Sequence, residues 1–177
     1  MNGMEDEKSK IIVPFILKMA DRDPSSRDAI VRQAVFTELQ SSSYVRFSST
    51  VAYNLLKESK LDPNFKNPQD CGKTPLMYFL RELDVKFTQE VLALKADATL
   101  KDDNGCTVLH YLVEAFAHGW SRPEKQKNEN IIALIDLLLS KGVDINARQK
   151  SGTVTFDALC YRYDVIQRHL ESKGGTY

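Results

Sequence analysis

The segment CGKTPLMYFL at residues 71–80 returns as NGCTVLHYL at 104–112. At an offset of 33, Gly72 matches Gly105, Thr74 matches Thr107, Leu76 matches Leu109 and Tyr78 matches Tyr111. A second pair, KADATLKDDNG from Lys95 and GVDINARQKSG from Gly142, places a glycine (Gly105, Gly152) eight residues after an aspartate (Asp97, Asp144). A period of this size restricts the fold more than composition does. Each period is one supersecondary unit with too little apolar area to stand alone, so neighbouring units must bury one another.

The chemistry inside the period predicts paired helices. Thr74 followed by Pro75 reads as an N-cap and first-turn pair: the hydroxyl can accept from an amide that lacks a helical partner, and proline pre-sets the backbone where no donor is needed. NENIIALIDLLLSKG (128–142) sets Ile131, Leu134, Ile135, Leu138 and Leu139 on one broad apolar face, and Gly142 can take the left-handed closing conformation. Asp103-Asn104-Gly105 and Lys150-Ser151-Gly152 read as turns.

These features resemble the ankyrin repeat: a turn ending in glycine, a Thr-Pro-Leu-His start to a short helix, a second helix ending in paired leucines, and a Gly-Ala-Asp-like exit. Two units match well, residues 69–102 and 103–150. Val51 to Asn67 looks like the end of a preceding unit, 25–68, with Leu55-Leu56 and Asp62-Pro63-Asn64 in place. Residues 151–174 keep Gly152 but carry Val154, Thr155 and Asp157 where Thr, Pro and His are usual, and residues 1–24 read as an N-terminal capping segment. The resemblance implies one all-α domain over 1–177, a solenoid of about four stacked helix–turn–helix units with short hairpin loops. It also implies that His110 braces its own turn through Thr107, with Met77 and Asp157 in the same place elsewhere.

The step from Gly105 to Gly152 is 47 against the preceding 33, so about 14 residues are inserted near 116–130. Gly119, Pro123 and the polar run to Asn130 predict a longer first helix and then an exposed loop carrying Trp120, the only tryptophan. Upstream, Ile11, Ile12, Phe15, Ile16 and Met19 paint one helical stripe, interrupted or started by Pro14. The stripe suggests a helix that caps the first unit, with a partner-binding helix as the alternative. Ser25 or Ser26 offers an N-cap for RDAIVRQAVFTEL (27–39). Gln40 to Thr50 reads as a loop, with Ser42 or Ser43 as possible phosphorylation sites.

Catalytic signatures are missing from the sequence: no GxxxxGK[ST] loop, GxSxG elbow, HExxH helix or GxGxxG fingerprint occurs. Cys106 and His110 invite a nucleophilic dyad, but no third group to orient the histidine can be named. The three cysteines, Cys71, Cys106 and Cys160, are too widely spaced for a CxxC pair and suggest a reducing compartment, with Cys71 and Cys106 as exposed thiols. Lys plus Arg (24) equals Asp plus Glu (24), which favours neither nucleic acid nor an anionic membrane. The apolar run from Ile11 to Leu17 is too short to span a bilayer, and no Asn-x-Ser/Thr sequon occurs.

Function follows from the resemblance: a non-enzymatic protein-interaction module, adaptor or inhibitor, with no cofactor and no metal, monomeric when unbound, in cytoplasm or nucleus. Short ankyrin chains with divergent repeats look like viral or bacterial proteins that engage host proteins, including mimics of the NF-kappaB inhibitor, and for these the compartment would be host cytoplasm. Contacts would fall on the tips (Asp70, Cys71, Lys73; Asp103, Asn104, Cys106; Lys150, Ser151, Thr153) and on first helices (Arg81, Glu82; Glu114, Ala115; Tyr161, Arg162). One alternative makes the insertion, with Trp120 and Arg122, the main contact; another is an enzyme using Cys106 and His110.

Overall fold

The computed structural model describes residues 3–41, 47–118, 124–150, 152–160 and 163–177. These hold nine α-helices: α1 (Gly3–Ala20), α2 (Arg27–Ser41), α3 (Phe47–Ser59), α4 (Pro75–Phe79), α5 (Val85–Ala93), α6 (Val108–His118), α7 (Glu124–Ser140), α8 (Val154–Cys160) and α9 (Asp164–Ser172). A short 3₁₀ turn, Leu80–Glu82, prolongs α4. The chain is all-α; extended pairing among the described residues is limited to isolated bridges, Asn67 with Lys73 and Arg148 with Thr153.

The helices form two rows. Within pairs, α2 packs on α3, α4 on α5, α6 on α7 and α8 on α9. Between pairs, α2 contacts α4, α4 contacts α6 and α6 contacts α8, while α5 contacts α7 and α7 contacts α9. The core runs through this array without a break, from Val31, Val35 and Leu39 through Leu76, Phe79, Leu109 and Leu112 to Ile131, Leu134, Ile135, Leu138, Ile166 and Leu170.

The same backbone device ends four helices. Lys60, Lys95, Gly142 and Gly174, just beyond α3, α5, α7 and α9, all have positive φ (58°, 70°, 84° and 93°). This left-handed residue lets a helix end bond its last carbonyls: Lys95, Gly142 and Gly174 each donate their N–H to the carbonyl three residues back. Two residues further on, Asp62, Asp97 and Asp144 each accept the N–H of the second residue after them. Asn64 then crosses to the next pair, donating to the Lys95 carbonyl (3.2 Å) and accepting from the Asp97 N–H (2.7 Å). Asn146 makes the same two bonds with Gly174 (3.1 Å) and Thr176 (2.8 Å).

Three expectations need correction. Pro14 neither starts nor breaks α1 but lies within it, with its ring exposed. The α1 stripe is split between the array and solvent, with only Ile12 and Ile16 of its five residues packed against the core. Ser9, Val13 and Ala20 are buried against α2 and α3, Ile12, Ile16 and Leu17 are partly buried, and Ile11, Phe15 and Met19 point outward. The polar run from Glu124 to Asn130 is helix rather than loop, belonging to α7, and α6 extends to His118; residues 119–123 lie outside the described residues. Glu-Lys-Gln-Lys is a strong helix-forming sequence of straight-chain residues that opens with an acid. Trp120 and Arg122 lie outside the described residues.

Candidate functional site

The tips of the helix pairs are built alike and touch in sequence. Asn67, Asp102 and Gln149 donate their N–H groups to the carbonyls of Lys73, Cys106 and Gly152 (2.9, 3.0 and 2.9 Å), closing loops that shorten along the array. Thr74, Thr107 and Thr153 follow those carbonyls and precede α4, α6 and α8, each almost fully buried. The last tip is therefore one residue shorter than an alignment on Gly152 predicts. Thr153 is a buried cap rather than a tip contact, and Phe156 takes the place expected of Asp157.

Glycines hold the tips in register. A Cβ on Gly72 (φ +69°) would meet the Asp103 carboxylate of the following tip, an exposed side chain that would have to turn away, and the positive φ itself favours glycine. A Cβ on Gly105 (φ +84°) would lie 2.8 Å from the Arg148 carbonyl oxygen. Asp103 also donates its N–H to the Cys71 carbonyl at 2.8 Å, and Lys66 lies 3.3 Å from its carboxylate.

Beneath the tips runs a polar ladder. The Tyr78 hydroxyl donates to Asp70 (2.6 Å) and accepts from Asn67 (3.1 Å); the Tyr111 hydroxyl donates to Asp102 (2.7 Å). Lys73 bonds Asp70 at 3.0 Å and lies over both rings, 5.8 Å from the Tyr78 centroid and 5.1 Å from that of Tyr111. Burial and the adjoining carboxylates raise both phenol pKa values, so the hydroxyls stay donors. Partial burial works against the Asp70 carboxylate, but the Tyr78 and Lys73 hydrogen bonds outweigh it and lower its pKa. The repeated tyrosine was visible in the sequence, and a buried tyrosine requires a hydrogen-bond partner; which carboxylate supplies it was not.

His110 accepts the Thr107 N–H at Nδ1 (3.1 Å), with the Thr107 hydroxyl 3.0 Å from the same nitrogen. Met77 does this in the preceding tip, its sulfur accepting the Thr74 N–H at 3.4 Å. The Thr74 hydroxyl, expected to cap the helix, has no hydrogen-bond partner among the described residues; the Met77 N–H bonds the Thr74 carbonyl instead (3.0 Å). Burial lowers the His110 pKa; the Asp157 and Asp102 carboxylates and the Gly152 backbone oppose this without reversing it.

Cys106 is not the exposed thiol expected. Its Sγ donates to Gln149 at 2.7 Å, and burial followed by the Asp102 charge pushes the thiol up to about 12. It is thus protonated at neutral pH, and the histidine of the supposed dyad is engaged with Thr107. Cys71 and Cys160 are exposed.

Of the other predicted contact residues, Arg81 is exposed with its guanidinium 5.3 Å from the Tyr78 centroid, and Glu114 and Lys150 are exposed. Glu82 accepts from the buried Ser49 hydroxyl (2.7 Å), joining α3 to the end of α4. Asn104 is half-buried, its N–H on Asp102 (2.9 Å). Ser151, Tyr161 and Arg162 lie outside the described residues. Among the described residues no helix is long and apolar enough to cross a membrane, and no cluster of His, Cys, Asp and Glu is arranged to hold a metal ion. No protein-family model and no curated protein matches the chain.

Proposed function

We propose that this chain is an ankyrin-type solenoid of about four units that acts as a non-enzymatic protein-interaction module, an adaptor or inhibitor working in the cytoplasm or nucleus. It binds a protein partner along its tips and the exposed side of its first helices. The observation that carries this reading is the register of the tips: Gly72 abuts Asp103 and Gly105 abuts Arg148, so successive tips project side by side as one edge. The rows of first and second helices and the crossing bonds of Asn64 and Asn146 support the same assignment. Arg81, Glu114, Asp103 and Lys150 supply polar contacts of both signs, which suits a protein surface better than nucleic acid.

The test is affinity capture with the intact chain against an Arg81→Glu/Glu114→Lys variant, which spares Glu82 and its bond to Ser49. A bound protein that is lost, by about tenfold or more in affinity, at an unchanged melting temperature supports the reading. Capture that survives both this variant and Lys150→Glu removes it.

A further inference from the structure

We infer that the groove between α1 and α2 is a second docking surface, shaped and charged for an acidic amphipathic helix of a partner protein. Ile11, Phe15 and Met19 stand at four-residue steps along α1 and are 71%, 65% and 42% exposed, and Ile30 of α2 is 36% exposed. Phe15, Met19 and Ile30 border an open groove of about 300 Å³ that Ile16 and Ala34 also line, and Ile11 continues the exposed stripe one turn beyond it. The fold does not require these side chains outside, because α1 docks on α2 and α3 through Ser9, Val13 and Ala20. A contiguous apolar strip that the fold leaves in water marks a contact site.

Charge selects the occupant. At helical spacing Lys8, Ile11, Phe15 and Lys18 fall on one side of α1, and Arg22 follows in the turn beyond it, so basic residues stand at both ends of the exposed stripe, while the nearby acids Glu7 and Asp21 pair with Lys10 and Arg27. The carboxylate lining the groove is Glu38, which Lys8 already opposes electrostatically. A second copy fits poorly. A two-fold antiparallel contact along the stripe brings the Lys8 end of one copy toward the Lys18 end of the other, which is repulsive. The stripe is also only about 12 Å long at 1.5 Å per residue, short for a self-contained dimer of about 800 Å² per partner, yet suited to two or three anchors of one helix. A membrane is disfavoured by the wall opposite, where Gln33, Thr37 and Glu38 line the groove.

The experiment compares two synthetic helical peptides carrying the same leucines at i, i+3 and i+7, one flanked by glutamates and one by lysines, titrated by fluorescence anisotropy against the intact chain. The glutamate peptide should bind saturably and in a salt-dependent way, and the lysine peptide at least about tenfold more weakly. Phe15→Ser and Lys18→Glu/Arg22→Glu should each weaken the glutamate peptide by a similar factor without lowering the melting temperature. Arg81→Glu/Glu114→Lys should leave it unchanged, which separates this groove from the tips. Failure of the glutamate peptide to bind, equal binding of the two peptides, or indifference to Lys18→Glu/Arg22→Glu overturns the proposal. So does binding of phosphatidylserine vesicles, or concentration-dependent dimerisation, that is lost in Phe15→Ser while peptide binding persists.

Discussion

Three threonines open three first helices, and each tip closes differently around its own. Thr74 gives its N–H to a methionine sulfur, Thr107 to a histidine nitrogen, and Thr153 instead receives the Phe156 N–H at its hydroxyl (3.3 Å). The Met77 case shows that the position needs an acceptor rather than a proton carrier, which makes His110 separable by pH. Its folded pKa is lowered by burial relative to the ordinary 6.5, so below 6.5 the unfolded chain binds the proton more readily than the folded one. Stability is therefore complete above that value and falls as pH drops toward 5, at no more than about 1.4 kcal/mol per pH unit for one proton. His110→Met should flatten this window in urea melts taken from pH 7 to 5; an identical slope in both proteins would refute the assignment. The Thr107–His110 brace was legible through the resemblance to the ankyrin repeat, whose Thr-Pro-Leu-His start these two residues match. Thr153 was not, because the last loop is a residue shorter, and only the closing bond from Gln149 to Gly152 reveals the shift.

Helix limits were legible where a local signal decided them and misread where a helix runs through its usual breaker. Ser26 precedes α2 as expected, its carbonyl accepting the Ile30 N–H at 2.9 Å while Asp23 fixes the turn through Ser25 (3.1 Å from its N–H). At the start of α7 the sequence is polar throughout, so apolar periodicity carries no information there and the helix is not legible from it. In α1 the stripe was read correctly as helical, but its direction depends on α2 and α3, which periodicity cannot supply. Pro14 makes that element testable. It sits inside an 18-residue helix, where proline removes a backbone bond and crowds the preceding turn at a cost of about 3 kcal/mol. Because the residue is exposed, Pro14→Ala changes no core contact and should raise stability by about 1–3 kcal/mol, with greater helicity by circular dichroism. An unchanged or lower melting temperature would mean that α1 is already adapted to the proline.

Stability in such an array is a sum over neighbours, so the two ends need not hold equally well. At the N-terminal end α1 packs on both α2 and α3, covering the first pair with Val13 and Ala20 fully buried. At the other end, among the described side chains, α8 and α9 bring Val154, Ala158, Ile166 and Leu170 to the core, whereas α4 with its 3₁₀ turn buries five consecutive residues, Leu76, Met77, Tyr78, Phe79 and Leu80. Polar ties offset some of this deficit: Cys106 to Gln149, Asn146 to Gly174 and Thr176, and Asp136 to both His169 and Lys173 at 2.9 Å. The Cys106–Gln149 and Asp136–His169 ties are part-buried and the Asn146 bonds exposed; exposed pairs contribute about 0–1 kcal/mol each and a typical hydrogen bond about 0.5–1.5 kcal/mol, less than the burial of one leucine at about 1.5–3 kcal/mol. The last pair should thus open before the rest. Native-state hydrogen exchange should show amides of α8 and α9 exchanging through an opening about 1–3 kcal/mol below that of α4, α6 and α7. Asp136→Asn, which weakens the tie between α7 and α9, should widen the gap while leaving α4 protection unchanged. Uniform protection from α2 to α9, unaffected by Asp136→Asn, would mean instead that the array unfolds as a single cooperative block and that the Asp136 tie contributes nothing measurable to its C-terminal end.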